Sequence, residues 1–485
     1  MPPSDPDKLR AIMGGVWLAR PDAERPPAVQ GASIDTRTLQ RGNIFFAMPG
    51  QRVDGHDYLA QAAAAGASIA IVQKNVVPPP GLATLQVDST ADALTRLAVA
   101  HRKGLEGCRV IAVTGSAGKT TTVRYIHAIL SQMMRGTAPV KSYNNALGVP
   151  LTILAARTGD RYLLCEVGAG GPAGSVNRLA SIIRPDIAVI TSIGRAHLET
   201  LGSLQAIADE KAQLLSQLSP SGLAVVTADA PELAPHLKRL RFVLSFGRSA
   251  GATLRIVEAT QEPEAVRIVF NDRSEYRVPG LGAHNALNAA AAIAVTRTMG
   301  ATPETIAAGL AAAQPAPMRM QRMRCGPVEL INDCYNANPE SMLAALETLG
   351  LVGLGARRRV AILGDMLELG ANSAALHREI GEAIVRRGPA DVVMTVGPEA
   401  RHIAARIREI WPAVPIEEYE SADESASRRI AAQLGPGDIA LVKGSRGVAL
   451  ERIARAVEEK WGAGAGAEAP QPTEAGTPPA CSSGS

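Results

Sequence analysis

Residues 109–134 read RVIAVTGSAGKTTTVRYIHAILSQMM. An apolar run, Arg109 to Thr114, meets a glycine turn, and Val123, Ile126, Leu130 and Met133 then recur at helical spacing. A buried strand, a tight turn and a helix N-terminus in that order make a phosphate-binding element. The turn amides and the helix dipole face an anion, Lys119 adds a point charge, and the Thr120 hydroxyl can reach a magnesium ion. The common pattern G-x-x-x-x-G-K-S/T would have a glycine five positions before Gly118, where this chain has Val113. A glycine turn followed by a solvated lysine is the plain alternative, but the strand-turn-helix context favours a phosphate site.

Working outward, the strand-like runs RYLLCEV, DIAVITSI and GLAVVTAD alternate with helical stretches, which predicts a parallel sheet with crossover helices over 107–317. RVAILGD, DVVMTVG and DIALVKG repeat the style over 318–461 and predict a second, Rossmann-like α/β domain. Residues 1–106, with GNIFFAMPG and ASIAIVQ, form a smaller mixed α/β block. From Gly462 the sequence GAGAGAEAPQPTEAGTPPACSSGS offers almost no large apolar side chain and is expected to be a disordered tail over 462–485. The fold expected is therefore α/β in three domains, with the ATP-binding sheet in the middle.

Composition excludes several classes. The chain has 485 residues, a net charge of +4 and 3% aromatics, with scattered basic residues, so no nucleic-acid stacking surface is expected. Its five cysteines include no C-x-x-C pair, which argues against a zinc ribbon or a disulfide framework. The N-terminus lacks a sustained apolar segment, and no run of about 18 apolar residues occurs. A cytoplasmic protein without stable membrane insertion is the resulting expectation.

Three further residues bear on chemistry. Glu166 and His197 follow successive strands on the side where an open α/β sheet places its ligand crevice. Each alone reads equally as a solvated loop residue; together they suggest a magnesium site. Lys211 falls on the apolar stripe Leu204, Ile207, Ala208, Leu214, Leu215, Leu218, where an ammonium is costly. Snorkelling, an acidic partner or a chemical modification would each relieve it.

The loop Thr114–Thr120, in the form T-G-x-x-G-K-T, resembles that of the Mur ligases. So do DTR at 35–37, YNNALGVPLTIL, EVGAGG, GAHNALNAAAA, PMRMQ, YNANPESM, LGDMLELG and LVKGSRG, which together cover nearly the whole chain before the tail. YNANPESM and LGDMLELG are most similar to the branch that joins D-alanyl-D-alanine to UDP-N-acetylmuramoyl-tripeptide, and no D-N-P-R-like motif of the branch adding the third amino acid occurs.

The resemblance implies an ATP-dependent ligase that makes the pentapeptide precursor of peptidoglycan through an acyl phosphate, acting as a monomer. It implies that Gly115, Ser116, Ala117, Gly118, Lys119, Thr120 and Thr121 hold the ATP phosphates. Thr120, Glu166, His197 and Lys211 would serve Mg²⁺, with Lys211 carbamylated by CO₂, and Lys119, Glu166, His197 and Lys211 would form the catalytic set. Asn288 would lie near the adenine, and Arg319 and Asp333 toward the ribose and phosphates. Asp35, Thr36 and Arg37 would hold the UDP-sugar, Asn144 and Asn145 would approach the sugar-peptide, and Asn336, Asn338, Lys443 and Ser445 would serve dipeptide binding or closure. One departure stands out: after EVG the family commonly ends a polar run in G-E-I, where this chain has Ser175 and Val176. A Mur-type ligase with another amine acceptor, or a substrate outside peptidoglycan, is the alternative that departure raises.

Overall fold

The run Arg109–Thr114 is an interior strand, parallel to Tyr162–Glu166 on one side and Ile187–Ile190 on the other. Every residue in it after Arg109 is buried, as a strand covered on both faces requires. The computed structural model describes residues 5–22, 28–50 and 53–462, so 463–485, the bulk of the expected tail, lie outside it.

Three sheets follow one another along the chain. The first has five strands in the spatial order Val16–Ala19, Ala83–Gln86, Ile69–Val72, Asn43–Phe46, Gly31–Ser33, all parallel except for the Val16–Ala19 edge. The central sheet has nine. Six parallel strands run from Gly136–Thr137 through Tyr162–Glu166, Arg109–Thr114, Ile187–Ile190 and Leu223–Thr227 to Val243–Gly247. Leu254–Gln261 then joins in parallel and turns back through Ala265–Phe270 and Glu275–Pro279. The third sheet opens with the antiparallel hairpin Gln321–Cys325 and Val328–Asn332, followed in parallel by Asp438–Lys443, Arg358–Gly364, Val392–Val396 and Ile416–Tyr419.

Two local expectations change. The antiparallel extension at 254–279 alternates buried and exposed residues along its strands, so it lacks the continuous apolar run that marks the interior strands. The helix after the glycine turn stops at Leu130 rather than continuing through Met133, which is 40% exposed, because the chain must turn back to place Gly136–Thr137 at the sheet edge.

Packing fixes the site-bearing helix. Lys119–Leu130 buries Val123, Tyr125, Ile126, Ile129 and Leu130. Against it lies Asn285–Thr298, whose small side chains Ala289 to Ala292 are all buried and permit close approach. Gly309, on the helix Pro303–Ala312, is closer still: a Cβ there would stand 2.3 Å from the Ile129 Cα. On the other face the helix Thr90–Lys103 joins the first sheet to the central one, with Arg102 Nε donating to the Ile183 carbonyl at 2.9 Å. One apolar core therefore runs from Ile44 and Ile71 through Leu94 and Leu97 to Val110 and Leu163. Cys108, Cys165, Cys325 and Cys334 are buried free thiols, and burial pushes Cys165 up to about 12.

Candidate active site

The glycine turn is built around two positions that admit no side chain. Gly115 has φ +151° and Gly118 φ +81°; a Cβ on them would fall 2.0 Å from Thr191 Oγ1 and 2.0 Å from Asn288 Oδ1 respectively. Val113 is a fully buried strand residue, so the shorter spacing reflects a first glycine, Gly115, that comes two residues later. The loop is braced by the end of the neighbouring strand: Ala117 N donates to Ser192 Oγ at 2.9 Å, and Ser116 Oγ donates to the Gly194 carbonyl at 2.9 Å. Lys119 folds back so that its Nζ donates to the Gly115 carbonyl at 2.7 Å. Backbone and ammonium are thus held by the loop's own contacts.

Glu166, 1% exposed at the end of its strand, accepts from Thr120 Oγ1 at 2.8 Å and from Asn144 Nδ2 at 2.8 Å. Two hard oxygens therefore meet at the helix N-terminus. Lys211 is 1% exposed on the helix Leu204–Ala212, and no carboxylate among the described residues lies within ion-pair distance of its ammonium. Its neighbour Glu210 is engaged elsewhere, accepting from Gly174 N at 2.8 Å, Val176 N at 2.9 Å and Ser175 Oγ at 3.2 Å. Loss of hydration, with Lys119 nearby, lowers Lys211 to about 7. Burial also lowers Lys119, against the pull of Glu166, and lowers His197, where Glu368 opposes it and both lysines reinforce it. Lys119 thus disfavours charge on Lys211 and His197, and Arg319 disfavours it on Lys119, a surplus of basic groups suited to anionic oxygens.

His197 has φ +63° and begins the short helix Leu198–Leu201; its Nδ1 is bonded to Glu368 of the third sheet's domain. Among the described residues no three His, Cys, Asp or Glu side chains converge as a metal site on their own.

A cleft of about 510 Å³ between the central and third domains joins these groups. Ser116, Ala117, Gly118, Lys119, Thr121, Asn144, Glu166, His197, Asn288, Arg319, Asp333, Asn336, Asn338 and Lys443 all line it. Arg319 lies 4.1 Å over the Tyr335 ring, and Lys443 Nζ, 2% exposed, is 2.6 Å from Asp333 Oδ2. Gly115, Thr120 and Lys211 are not among its lining residues.

Other expected residues are engaged locally. Asn338 caps the helix Pro339–Val352, accepting from Ser341 N at 2.8 Å. Asn145 Oδ1 accepts from Leu147 N at 3.1 Å and Gly148 N at 2.8 Å just ahead of the helix Gly148–Ala155, and Ser445 Oγ accepts from Leu367 N at 2.9 Å. Asp35 and Arg37 form a two-bond pair in the first domain, outside the cleft, and the Arg37 guanidinium holds Asp35 at about 2, with Lys141 of the central domain adding to it. Thr36 Oγ1 reaches Gln61 at 3.4 Å.

Sequence reasoning missed several groups. His284 lines the cleft with a buried Nδ1 that has no partner, although GAHNALNAAAA contains it. Arg195, Glu210 and Glu368 each lie in a stretch singled out for another residue. In the divergent loop, Glu210, from another helix, holds the N-terminus of Ser175–Ile183 through Gly174 N and Val176 N.

A phosphate loop and a buried lysine beside a cleft between the second and third of three successive α/β sheets define a nucleotide-dependent ligase architecture, and the chain belongs to the Mur ligase family. The Mur ligase family catalytic domain matches residues 28–102, the Mur ligase middle domain 113–296, and the Mur ligase glutamate ligase domain 318–446. The chain is 34% identical over 442 residues to the UDP-N-acetylmuramoyl-tripeptide–D-alanyl-D-alanine ligase of Bacillus subtilis, covering 90% of this chain and 95% of that one. It is 33% identical to the Escherichia coli enzyme of the same name, covering 89% and 96%. Among solved structures it is similar to MurF from Acinetobacter baumannii, with TM-score 0.80, 29% identity and coverage of 94% and 99%. MurF ligase from Thermotoga maritima in complex with ADP gives TM-score 0.74 at 28% identity, covering 91% and 100%.

Proposed function

We propose that this chain joins D-alanyl-D-alanine to the terminal carboxylate of UDP-N-acetylmuramoyl-tripeptide at the expense of ATP, giving the pentapeptide precursor of peptidoglycan. One observation carries the reading: the phosphate loop, Glu166 in contact with Thr120, and His197 meet at a single cleft between the central and third domains, with the buried Lys211 electrostatically coupled to Lys119 and His197. A carboxylate is a poor electrophile, so amide formation needs activation. ATP would phosphorylate the tripeptide carboxylate, and the dipeptide amine would then displace phosphate from the acyl phosphate.

The site fits the metal and the modification. Magnesium is a hard cation that takes a few oxygen ligands beside substrate phosphates. Thr120 and Glu166 already present such oxygens, and burial, which lowers Lys211 to about 7, favours the neutral amine that CO₂ requires. Thr120, Glu166, His197 and carbamylated Lys211 would hold Mg²⁺, which when bound disperses charge on the phosphates. Lys119 and the loop amides orient the phosphoryl group. Asn144 holds the Glu166 carboxylate, and Asn288, Arg319 and Asp333 position the nucleoside. The first domain, 1–106, would take the UDP-sugar at Asp35–Arg37, the middle domain, 107–317, ATP, and the third, 318–461, the dipeptide beside Asn336 and Lys443. A monomer in the cytoplasm, where ATP and nucleotide-sugars are found, suits these substrates; no helix among the described residues is long and apolar enough to cross a membrane.

Ser175 and Val176 favour a second reading, a ligase of the same type with another acceptor. Phosphate release with D-alanyl-D-alanine against a panel of amino acids and dipeptides separates the two. Fastest release with D-alanyl-D-alanine supports the first reading; a clear preference for another amine overturns it.

A further inference from the structure

His197 and Glu368 come from different domains, yet each is held in place by the other. Glu368 lies in LGDMLELG, between the strand Arg358–Gly364 and the helix Ser373–Arg387. Its carboxylate meets His197 Nδ1, and its carbonyl accepts from Glu199 N at 3.0 Å. Glu368 has φ +63°, an unusual conformation for a residue with a side chain, which the surrounding contacts must fix. His197 has φ +63° as well. With Nδ1 engaged, the imidazole has Nε2 left to offer the cleft that His197 lines.

The same short segment is tied to the third domain once more. Arg195 Nε donates to Glu340 at 2.7 Å, and its two terminal nitrogens donate to the Glu379 carboxylate at 2.7 and 3.0 Å. Residues 195–199 are therefore the seat on which that domain rests.

We infer that Glu368 is a positioning residue: it fixes the tautomer and aim of His197, so that this metal ligand is set only when the third domain is seated. The inference rests on the reading of His197 as a magnesium ligand. A ligating histidine ordinarily gives its second ring nitrogen to a carboxylate or carbonyl, which orients the ring and raises its basicity. Here that carboxylate arrives from a separate domain, so closure itself completes the ligand. The coupling withholds phosphoryl transfer until the cleft is shut against water.

The test uses Mn²⁺ as a spectroscopic probe on the full chain with ADP, following bound metal by electron paramagnetic resonance. Glu368→Ala is expected to weaken Mn²⁺ by about tenfold or more, the usual effect of losing such a partner. Glu368→Gln, whose amide oxygen can still accept from Nδ1–H, should stay within about threefold of the parent. ADP affinity measured without metal should be unchanged in both. Should Glu368→Ala fail to fold, Glu368→Asp, one methylene too short to reach, carries the same expectation. Mn²⁺ affinity within twofold of the parent in the truncated variant overturns the inference while leaving the metal reading intact. Absence of Mn²⁺ binding in the parent overturns both.

Discussion

Gly118 and Asn288 touch so closely that the loop glycine has no room for a single carbon: a Cβ on Gly118 would stand 2.0 Å from Asn288 Oδ1. The contact locks the phosphate loop to the helix Asn285–Thr298, which lines the cleft through Asn285, Leu287 and Asn288. Gly118→Ala would also have to adopt φ +81°, at a cost on the order of 1–3 kcal/mol. The expected outcome is a loss of at least about tenfold in ADP affinity by calorimetry, since tenfold corresponds to about 1.4 kcal/mol. Unchanged affinity would mean that the loop does not hold phosphate in this conformation.

Lys211 gives a prediction on stability as well as on activity. Its folded-state pKa, about 7, is below the 10.5 of a free lysine, so the unfolded chain binds the extra proton between those values. Stability therefore rises as pH increases through that window, and below it the full penalty of burying an ammonium remains, on the order of 4 kcal/mol. In CO₂-free buffer Lys211→Met should melt higher than the parent near pH 6, and the gap should close toward pH 10. The same substitution should abolish most of the ligase activity. Added short carboxylates should restore part of it in Lys211→Ala. A melting gap independent of pH, or full activity in the variant, would contradict the role given to this residue.

Arg195 binds two carboxylates of the third domain from the central one, with the guanidinium partly exposed. Exposed pairs contribute little, but a two-bond guanidinium contact is among the stronger kind, and about 1 kcal/mol is a fair expectation here. Arg195→Ala should raise the KM for the dipeptide several-fold and increase the radius of gyration in small-angle scattering with nucleotide bound. High salt should move the parent toward the variant. Identical scattering profiles would remove Arg195 from domain closure.

Asp333 and Lys443 form a nearly buried pair at the base of the cleft. Breaking such a pair from one side commonly costs about 3–5 kcal/mol, because a charge is left buried and alone. Lys443→Met should therefore lower the melting temperature strongly, and Asp333→Asn added to it should recover part of the loss. Additive losses in the double variant would show that the two side chains act independently.

Much of this site was legible along the chain because its determinants are local. Lys119, Thr120 and Glu166 stand at the ends of continuous apolar strands, where type and position suffice to place them. Lys211 was visible as a charge on an apolar stripe, and it is indeed buried. What escaped depends on distant pairing. Glu210 is buried only because the N-terminus of Ser175–Ile183 lies against it, Arg195 finds carboxylates 145 and 184 residues away, and Glu368 meets His197 across 171 residues. Likewise, the strands at 254–279 are half-exposed, so their alternation is weaker than the runs of the interior strands. Asn338 and Asn145 show the converse: polar residues in prominent motifs spend their hydrogen bonds on helix N-termini.

The central claim is tested most directly by mass spectrometry of the product formed from UDP-N-acetylmuramoyl-tripeptide, D-alanyl-D-alanine, ATP and Mg²⁺ with the full chain. The expected result is the UDP-linked pentapeptide, formed in step with one ADP and one phosphate per amide bond. ATP consumption without that product, or no turnover at all with these substrates, would contradict it.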